Sequence, residues 1–278
     1  MKKFLLFLIL SAPAWLNSYL ILWDLGDTLV YVSLFGMAQE IGLANCIMYH
    51  AFHTKEKNQL QNLMFDVLEE FGGKQQAPSS LERSYHTAHR PLPQIMCDWL
   101  AGKITNPQKL IKKLRTKIDQ LYAAGYFKNN LEYRVIKAAL SAMFNPEVLI
   151  KNTKVLHEAM EIVQEIALQG KHQQTILSNW DGGTAYQDLK RSPAGQELSR
   201  YFNLDDIVIS GNLNMIKPQM ALFQECIDRF HVAPDQCIFI DDQRENIEAA
   251  RAFGINAIQI KRHDFKKLRK DLQAFGVL

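Results

Sequence analysis

The chain has 278 residues, of which 47% are hydrophobic and 22% are charged, and its formal net charge at pH 7 is +3. This length and composition indicate a globular protein with one large core or two smaller ones, and the weak positive charge argues against a nucleic-acid-binding protein. The most basic run, KRHDFKKLRK at 261–270, is interrupted by Asp264 and Phe265 and is typical of a solvated helix face.

The first 18 residues have the order of a secretory signal peptide. Lys2 and Lys3 precede the apolar run FLLFLIL, and small residues follow at Ala12 and Ala14. The apolar run is shorter than the roughly 20 residues that span a bilayer, so we predict a cleaved signal, export to the periplasm or the medium, and no stable membrane anchor. The alternative is that these residues extend the strand that follows, in a cytoplasmic protein.

Apolar runs then predict the strands of a doubly wound parallel sheet, because from Thr175 onward they alternate with helical segments. The predicted strands are 19–23, 175–177, 207–209, 237–240 and 257–260. The first two strands are separated by about 150 residues, which is far more than a crossover connection needs.

Most of that interval has helical periodicity. Segments that begin at Leu34, Asn58, Gln108 and Leu131 place apolar residues three and four apart, with stop signals between them. We therefore predict an α/β core made of 19–31 and 151–278, and a helical domain of 32–150 inserted after the first strand. A helix from Lys154 to Leu168 is expected to lead back into the core.

Polar residues follow the ends of three predicted strands, where ligands of open parallel sheets bind. They are Asp24, Gly26, Asp27 and Thr28 after the first strand, Ser178 and Asn179 after the second, and Asp241 and Asp242 after the fourth. Three carboxylates at one edge raise each other's pKa or require a cation. We therefore predict a hard divalent cation with oxygen ligands. Taken singly, Asp24 could start a turn, Ser178 could cap a helix, and Asp242 could form a capping pair with Glu245.

Lys217 adds a second signal. It directly precedes Pro218, the expected first residue of a helix, so its charge would oppose the helix dipole unless an anion lies nearby. Ser178 and the backbone N–H of Asn179 could donate hydrogen bonds to the same anion. The pattern predicts a phosphate held between a metal, a lysine and a hydroxyl, with a carboxylate in line to attack phosphorus.

The stretches DLGDT, ILSN, IKP and FIDD, in this order, resemble the four motifs of the haloacid dehalogenase (HAD) superfamily. The resemblance implies a HAD-like Rossmannoid core, and the helical insertion is similar to the superfamily's helical cap. It also implies a role for each matching residue. Asp24 would be the nucleophile that forms an aspartyl-phosphate, Thr28, Ser178 and Asn179 would bind the phosphate, Lys217 would balance its charge, and Asp24, Gly26, Asp241 and Asp242 would hold Mg²⁺.

Gly26 departs from the superfamily's pattern, because most of its phosphatases have an aspartate there that protonates the leaving group. Loss of a general acid typically costs a factor of about 10² to 10⁴, although the backbone carbonyl that resembles a metal ligand is kept. Asp27 could take the role, but in an extended segment adjacent side chains point to opposite faces. The substrate could instead have a good leaving group, as sugar 1-phosphates and acyl phosphates do, or the site could bind phosphate with little turnover.

These features predict a Mg²⁺-dependent phosphoric monoester hydrolase that acts on a small phosphorylated metabolite. DLG in place of DxD resembles a helical-cap branch that includes glucose-1-phosphate phosphatases, which favours a sugar phosphate. One alternative is a catalytically weak or inactive phosphate-binding protein. The other is a 2-haloacid dehalogenase, which also uses an aspartate nucleophile but needs no Mg²⁺.

Residues outside the motifs suggest how the site is completed. Arg83, His86, His89 and Arg90 are spaced so that two or three of them could share a helix face and contact a polar or anionic substrate. Such a cluster is more often a solvated surface.

Trp180 could form a wall of the site or pack at a domain boundary, and Asn246 could support the metal or face water. All four cysteines lie among apolar neighbours, as buried structural cysteines do, and Cys226 with Cys237 is a candidate disulfide if the protein is exported.

Overall fold

The computed structural model describes residues 18–52, 59–77, 79–86, 90–261 and 264–278. The predicted signal peptide, 1–18, lies outside the described residues except for Ser18, so export stays a prediction. Within these described ranges, no helix is both long enough and apolar enough to cross a membrane.

Strands and helices alternate as expected for an α/β protein. The strands are β1 Leu20–Trp23, β2 Val30–Val32, β3 Tyr85–His86, β4 Arg90–Pro91, β5 Thr153–Val155, β6 Gln173–Ser178, β7 Val208–Ile209, β8 Cys237–Asp241 and β9 Asn256–Gln259. The helices are α1 Leu34–Ile41, α2 Leu43–Phe52, α3 Gln59–Gly72, α4 Gln94–Leu100, α5 Pro107–Ala123, α6 Asn130–Met143, α7 Pro146–Asn152, α8 His157–Gln169, α9 Thr184–Arg191, α10 Pro193–Leu198, α11 Met220–Phe230, α12 Arg244–Ala252 and α13 Phe265–Ala274.

A parallel sheet in the order β7-β6-β1-β8-β9 forms the centre of the molecule. Its five strands are the five that the sequence predicts, with bounds that differ by at most two residues. All four residues of β1 are buried, because helices cover both faces of the sheet. Ile21 and Trp23 pack in one apolar cluster and Leu20 and Leu22 in another, as the two-residue period of a strand requires. The prediction of a doubly wound core is confirmed.

The register of the sheet brings the candidate residues together. Trp23 at the end of β1 lies opposite Ile176 of β6 and Ile240 of β8. All three strands run in the same direction, so the residues that follow them emerge at one edge. The fold thereby collects motifs that are more than 200 residues apart in the chain, since Asp24 and Asp241 lie at this edge.

A short antiparallel ribbon connects the core to the helical segment. β2 pairs with β5, with Val30 opposite Val155. The predicted helix start at Lys154 is therefore wrong: Lys154 lies in β5, and α8 begins at His157 after the extended residue Leu156. Strand pairing with β2 overrides the helical periodicity at this point.

Between β2 and β5 the chain forms α1 to α7 around an apolar cluster of its own, which includes Phe65, Trp99 and Phe144. The helical composition of 32–150 is as expected. Its role as a cap that closes over the site stays a proposal.

The expected helix through Arg83, His86 and Arg90 is wrong. Tyr85–His86 and Arg90–Pro91 pair as an antiparallel hairpin, β3–β4. His89 lies outside the described residues. A proline disfavours helical conformation in the residue before it, and the hairpin ends at Pro91.

Arg90 is held within the helical segment. Its guanidinium forms ion pairs with Asp66 at 2.8 Å and Glu69 at 2.9 Å, and it lies 5.6 Å from the centre of the Phe65 ring. These partners all belong to α3, so Arg90 fixes the hairpin on that helix.

Cys97, Cys226 and Cys237 are buried as expected, whereas Cys46 on α2 is partly exposed. All four are free thiols, so Cys226 and Cys237 do not form a disulfide in this structure. Burial raises the pKa of Cys237 to about 12, which makes it unreactive as a thiolate.

Candidate active site

Asp24 is positioned by the end of the central strand. Its backbone N–H donates to the carbonyl of Ile240 at 2.8 Å, which extends the pairing of β1 with β8 by one residue. The following loop is tight, because the N–H groups of Leu29 and Val30 both donate to the carbonyl of Leu25. Asp24 is 6% exposed, so its carboxylate lies at the bottom of a cleft.

Lys217 lies between two buried carboxylates. Its Nζ is 2.6 Å from Oδ1 of Asp24 and 2.7 Å from Oδ2 of Asp241, and it also donates to the carbonyl of Leu177 at 3.1 Å. Burial opposes its charge, but the two carboxylates outweigh this effect and raise the pKa of Lys217. Burial also raises the pKa of Asp24 to about 6, an effect that the Lys217 ammonium opposes and Asp241 reinforces.

The backbone of Lys217 is held in a turn, Ile216–Gln219, which the N–H of Gln219 closes by donating to the carbonyl of Ile216. Asn179 holds the turn from the core: its amide Nδ2 donates to the Lys217 carbonyl at 3.1 Å, and its Oδ1 accepts from the Lys217 N–H at 2.7 Å. Ser84 beside β3 also donates its hydroxyl to the Lys217 carbonyl.

The expectation that Pro218 is the first residue of a helix is wrong. The helix α11 begins at Met220 after Gln219, because the turn that presents Lys217 occupies the residues before it. The Lys217 ammonium is instead balanced by Asp24 and Asp241.

Asp241 and Asp242 have different environments although they are adjacent. Asp241 is fully buried, and its oxygens accept from Lys217, from the Gln243 N–H at 2.7 Å and from the Asn246 amide at 3.0 Å. Asp242 faces the cleft, where burial, together with the carboxylates of Asp241 and Asp24, raises its pKa to about 9. Asp242 does not cap α12, since that role falls to Gln243.

Two hydroxyls lie near the end of the strands. Ser178 is the last residue of β6 and is 1% exposed. Thr28, in the loop after β1, is fully buried, and its hydroxyl has no hydrogen-bond partner in the described structure. An unpaired buried hydroxyl costs about 1–3 kcal/mol, so Thr28 marks a place where a further hydrogen-bonding group fits.

A cavity of about 270 Å³ opens above Asp24. Its core-facing wall contains six of the residues that the sequence predicts for the site: Asp24, Gly26, Ser178, Asn179, Lys217 and Asp242. Thr28 and Asp241 are buried outside this wall.

The helical segment supplies the opposite wall. Ser84, Tyr85, Leu92, Met96 and Leu100 line the cavity, and none of them was predicted from the sequence. They lie on or beside the β3–β4 hairpin and on α4. The sequence signal that could have indicated the hairpin is an aromatic residue, Tyr85, between two polar residues shortly before Pro91. Trp180 and Asn246, which the sequence did suggest, also line the cavity.

The loop at Gly26 has room for a side chain. A Cβ atom placed on Gly26 would meet only Oδ2 of Asp24, at 4.0 Å, and its φ lies outside the left-handed range. Asp27 has a φ of 52°, so the segment is not extended there, and the alternation of side chains expected for an extended segment does not hold at Asp27. Asp27 lines the same cavity and its charge helps to raise the pKa of Asp242.

The carboxylates of Asp24, Asp241 and Asp242 form a group that fits a metal ion, with one oxygen of each lying within 4.8 Å of the others. Such an all-oxygen set suits a hard cation such as Mg²⁺.

The model of the haloacid dehalogenase-like hydrolase family matches residues 94–260, which is more than half of the chain. The chain therefore belongs to this family of hydrolases. The matched region contains Ser178, Lys217 and Asp242 but not Asp24, so the assignment of the first motif depends on the geometry of the site.

Solved structures of the family have the same fold. One is a variant of a HAD family enzyme from Bacteroides thetaiotaomicron in complex with magnesium and inorganic phosphate, with a TM-score of 0.52, 15% identity, and coverage of 88% of this chain and 95% of that one. Another is a HAD-like family hydrolase from Porphyromonas gingivalis, with a TM-score of 0.51, 16% identity, and coverage of 92% and 98%. At these identities the likeness shows the fold alone.

Among curated proteins, acyl-CoA dehydrogenase family member 10 of Mus musculus is 36% identical to this chain over 58 residues. The match covers 20% of this chain and 5% of that protein. The chain thus corresponds to a small part of that protein.

Proposed function

We propose that the protein is a Mg²⁺-dependent phosphatase that hydrolyses a small phosphate monoester through an aspartyl-phosphate on Asp24. The observation that carries this proposal is the placement of Asp24, Lys217 and Asp242 at one cavity, with a buried ammonium against the candidate nucleophile. The complex of a HAD enzyme with magnesium and inorganic phosphate adds support, because that enzyme shares the fold.

In the proposed reaction an oxygen of Asp24 attacks phosphorus, and the bond from phosphorus to the ester oxygen breaks. Water then attacks the phosphoryl group on Asp24, which releases inorganic phosphate and regenerates the carboxylate. Lys217 keeps Asp24 ionised and oriented through the contact at 2.6 Å. The hydroxyl of Ser178 and the unpaired hydroxyl of Thr28 are the proposed hydrogen-bond donors to the phosphate and to the attacking carboxylate of Asp24.

Asp24, Asp242 and the carbonyl of Gly26 are the proposed direct metal ligands. When bound, Mg²⁺ would supply positive charge that stabilises the phosphoryl oxygens in the transition state. Asp241 is satisfied by Lys217, Gln243 and Asn246, so we assign it to holding Lys217 and to the charge around the ion.

The test is phosphate release from a panel of phosphate esters and acetyl phosphate, with and without Mg²⁺. We expect Mg²⁺-dependent release from the native protein and its loss in Asp24→Asn. Asp205→Asn, at an exposed ion pair with Lys190, is the matched control and should keep the activity. Phosphate release that survives in Asp24→Asn would overturn the mechanism.

The second candidate is a phosphate-binding protein with little turnover, which Gly26 favours. Gly26→Asp separates the two, because a Cβ atom at position 26 would meet only Oδ2 of Asp24, at 4.0 Å. A gain of about 10²-fold or more on every substrate, good leaving groups included, would show that the native site lacks a group it needs. A 2-haloacid dehalogenase is disfavoured, since its reaction needs no metal and Asp242 would then lie in the cavity wall without a function.

Export remains part of the proposal. If the signal peptide is cleaved, sequencing the amino terminus of protein from the native host should give a start near Trp15 or Tyr19. A retained Met1 would contradict cleavage.

A further inference from the structure

The wall that the helical segment supplies is apolar and aromatic except for Ser84. Tyr85, Leu92, Met96 and Leu100 of this segment line the cavity together with Trp180 from the loop after β6. Lys217 is the only lysine or arginine in the described wall, and its three donors are already used by Asp24, Asp241 and the Leu177 carbonyl.

Few polar groups are free to bind hydroxyls of a substrate. The Ser84 hydroxyl donates to the Lys217 carbonyl, Asn179 binds the Lys217 backbone, and the amides of Gln243 and Asn246 bind the two motif aspartates. A sugar hydroxyl placed against Leu92, Met96 or Leu100 meets no polar side chain there and costs about a hydrogen bond, so this part of the wall favours an apolar leaving group.

The remaining acidic groups exclude a second negative charge. Asp27 and Glu245 line the cavity, whereas Arg83 and Arg90 are not among its described lining residues, and Arg90 is paired with Asp66 and Glu69. Bisphosphates and phosphorylated carboxylic acids are therefore poor fits. The volume of about 270 Å³ favours a leaving group no larger than a single ring.

Gly26 points to the same conclusion through reactivity. Without a carboxylic acid at position 26, the leaving oxygen departs with little protonation, which is easier for a weak base. Phenols have a pKa of about 10, as tyrosine does, and are far stronger acids than sugar hydroxyls. An aromatic ring bound to the oxygen thus compensates for the missing acid and also matches the apolar wall.

We propose that the substrates are small aryl phosphate monoesters, in which phosphate is bound to a phenolic oxygen of a single ring. This inference rests on the proposed phosphatase function. The bond from phosphorus to the aryl oxygen breaks as the bond to Asp24 forms, and the phenolate takes a proton from solvent. Leu100 and Trp180 are the residues that we assign to ring binding.

The experiment compares kcat/KM for phenyl phosphate, glucose 1-phosphate and acetyl phosphate in the presence of Mg²⁺. Acetyl phosphate carries no ring and reports the chemistry of Asp24 alone. We expect phenyl phosphate to be preferred over glucose 1-phosphate by about tenfold or more, as a fitted apolar pocket discriminates. Turnover of acetyl phosphate with glucose 1-phosphate preferred would overturn the aryl assignment and leave the phosphatase intact, whereas no turnover of any of the three would overturn both.

Two variants test the assignment further. Leu100→Asn should lower the ratio of kcat/KM for phenyl phosphate to that for acetyl phosphate about tenfold, while Leu168→Asn, at an exposed leucine of α8 that does not line the cavity, should keep the native ratio. A ratio in Leu100→Asn equal to the native one would contradict ring binding at this wall.

The role of Gly26 is tested with a series of substituted phenyl phosphates whose leaving groups have decreasing pKa. Log kcat should rise more steeply along this series in the native protein than in Gly26→Asp. Equal slopes would count against the role given to the leaving group.

Discussion

Replacing Lys217 by methionine removes the ammonium that lies between the carboxylates of Asp24 and Asp241. Lys217 is 1% exposed, and its contacts at 2.6 Å and 2.7 Å end on carboxylates that are also nearly inaccessible. Removing one partner of a buried ion pair costs about 3–5 kcal/mol, because a charge is left buried without compensation. We expect Lys217→Met to lower the free energy of unfolding by this amount at pH 8.

The cost should depend on pH. The folded-state pKa of Asp24 is about 6, above its ordinary value, so its ionisation already reduces stability as pH rises through 6. Without Lys217 the pKa of Asp24 rises further, and protonation at pH 5 removes the uncompensated charge. The difference in stability between native protein and variant should therefore be smaller at pH 5 than at pH 8.

Urea denaturation of both proteins at the two pH values measures this effect without requiring activity. Lys190→Met is the matched control, because Lys190 forms an ion pair of 2.9 Å with Asp205, whose side chain is 84% exposed. Such a surface pair is worth about 0–1 kcal/mol. A loss in Lys217→Met no larger than in the control, or one that is the same at pH 5 and pH 8, would refute the electrostatic reasoning.

Three further outcomes are expected. Because the pKa of Asp242 is about 9 and a metal ligand must be ionised, the apparent affinity for Mg²⁺ should rise by about tenfold per pH unit between pH 6.5 and 8.5, and calorimetric titrations that give one affinity throughout would contradict this. Burial lowers the pKa of His172, so the folded state resists protonation of this side chain. The stability that His172 contributes above pH 6.5 should therefore be lost as the pH falls below 6.5. His172→Asn, which keeps an acceptor for the Tyr19 N–H, should reduce this loss when it is measured by urea denaturation. Gly102→Ala should destabilise the protein by more than Gly125→Ala. Both glycines have positive φ, but only a Cβ atom on Gly102 would collide with the carbonyl of Gly211. Equal melting temperatures of the two variants would contradict this prediction.

The core and the carboxyl-terminal edge of the sheet could be predicted from the sequence because each depends on local features. Each strand of the parallel sheet contains an apolar run, and parallel strands place their following residues at one edge, so the sequence alone predicts that Asp24, Ser178 and Asp242 lie together. The distinction between Asp241 and Asp242 was not accessible, since it depends on which carboxylate the Asn246 amide and the Lys217 ammonium reach.

The cavity wall was harder to predict for a physical reason. The spacing of Arg83, His86 and Arg90 fits a helix face, and Pro91 alone argues against a helix there. The ion pairs of Arg90 with Asp66 and Glu69, which hold the hairpin on α3, join residues more than 20 positions apart. The position of Asp27 failed differently. Aspartate tolerates positive φ better than most residues, so alternation along an extended strand was a weak guide within that loop.

The Lys217 carbonyl accepts one hydrogen bond from the core, through Asn179, and one from the helical segment, through Ser84. Ser84 directly precedes Tyr85 in the wall that we propose binds the leaving group, so the β3–β4 hairpin and the ammonium beside Asp24 are both anchored at the Lys217 carbonyl. We expect a ligand that shifts the hairpin to shift Lys217 as well, and thermodynamic linkage would make that dependence mutual. During divergence of such enzymes, substitutions in the hairpin would therefore alter substrate preference and turnover together, so that the two traits evolve as one.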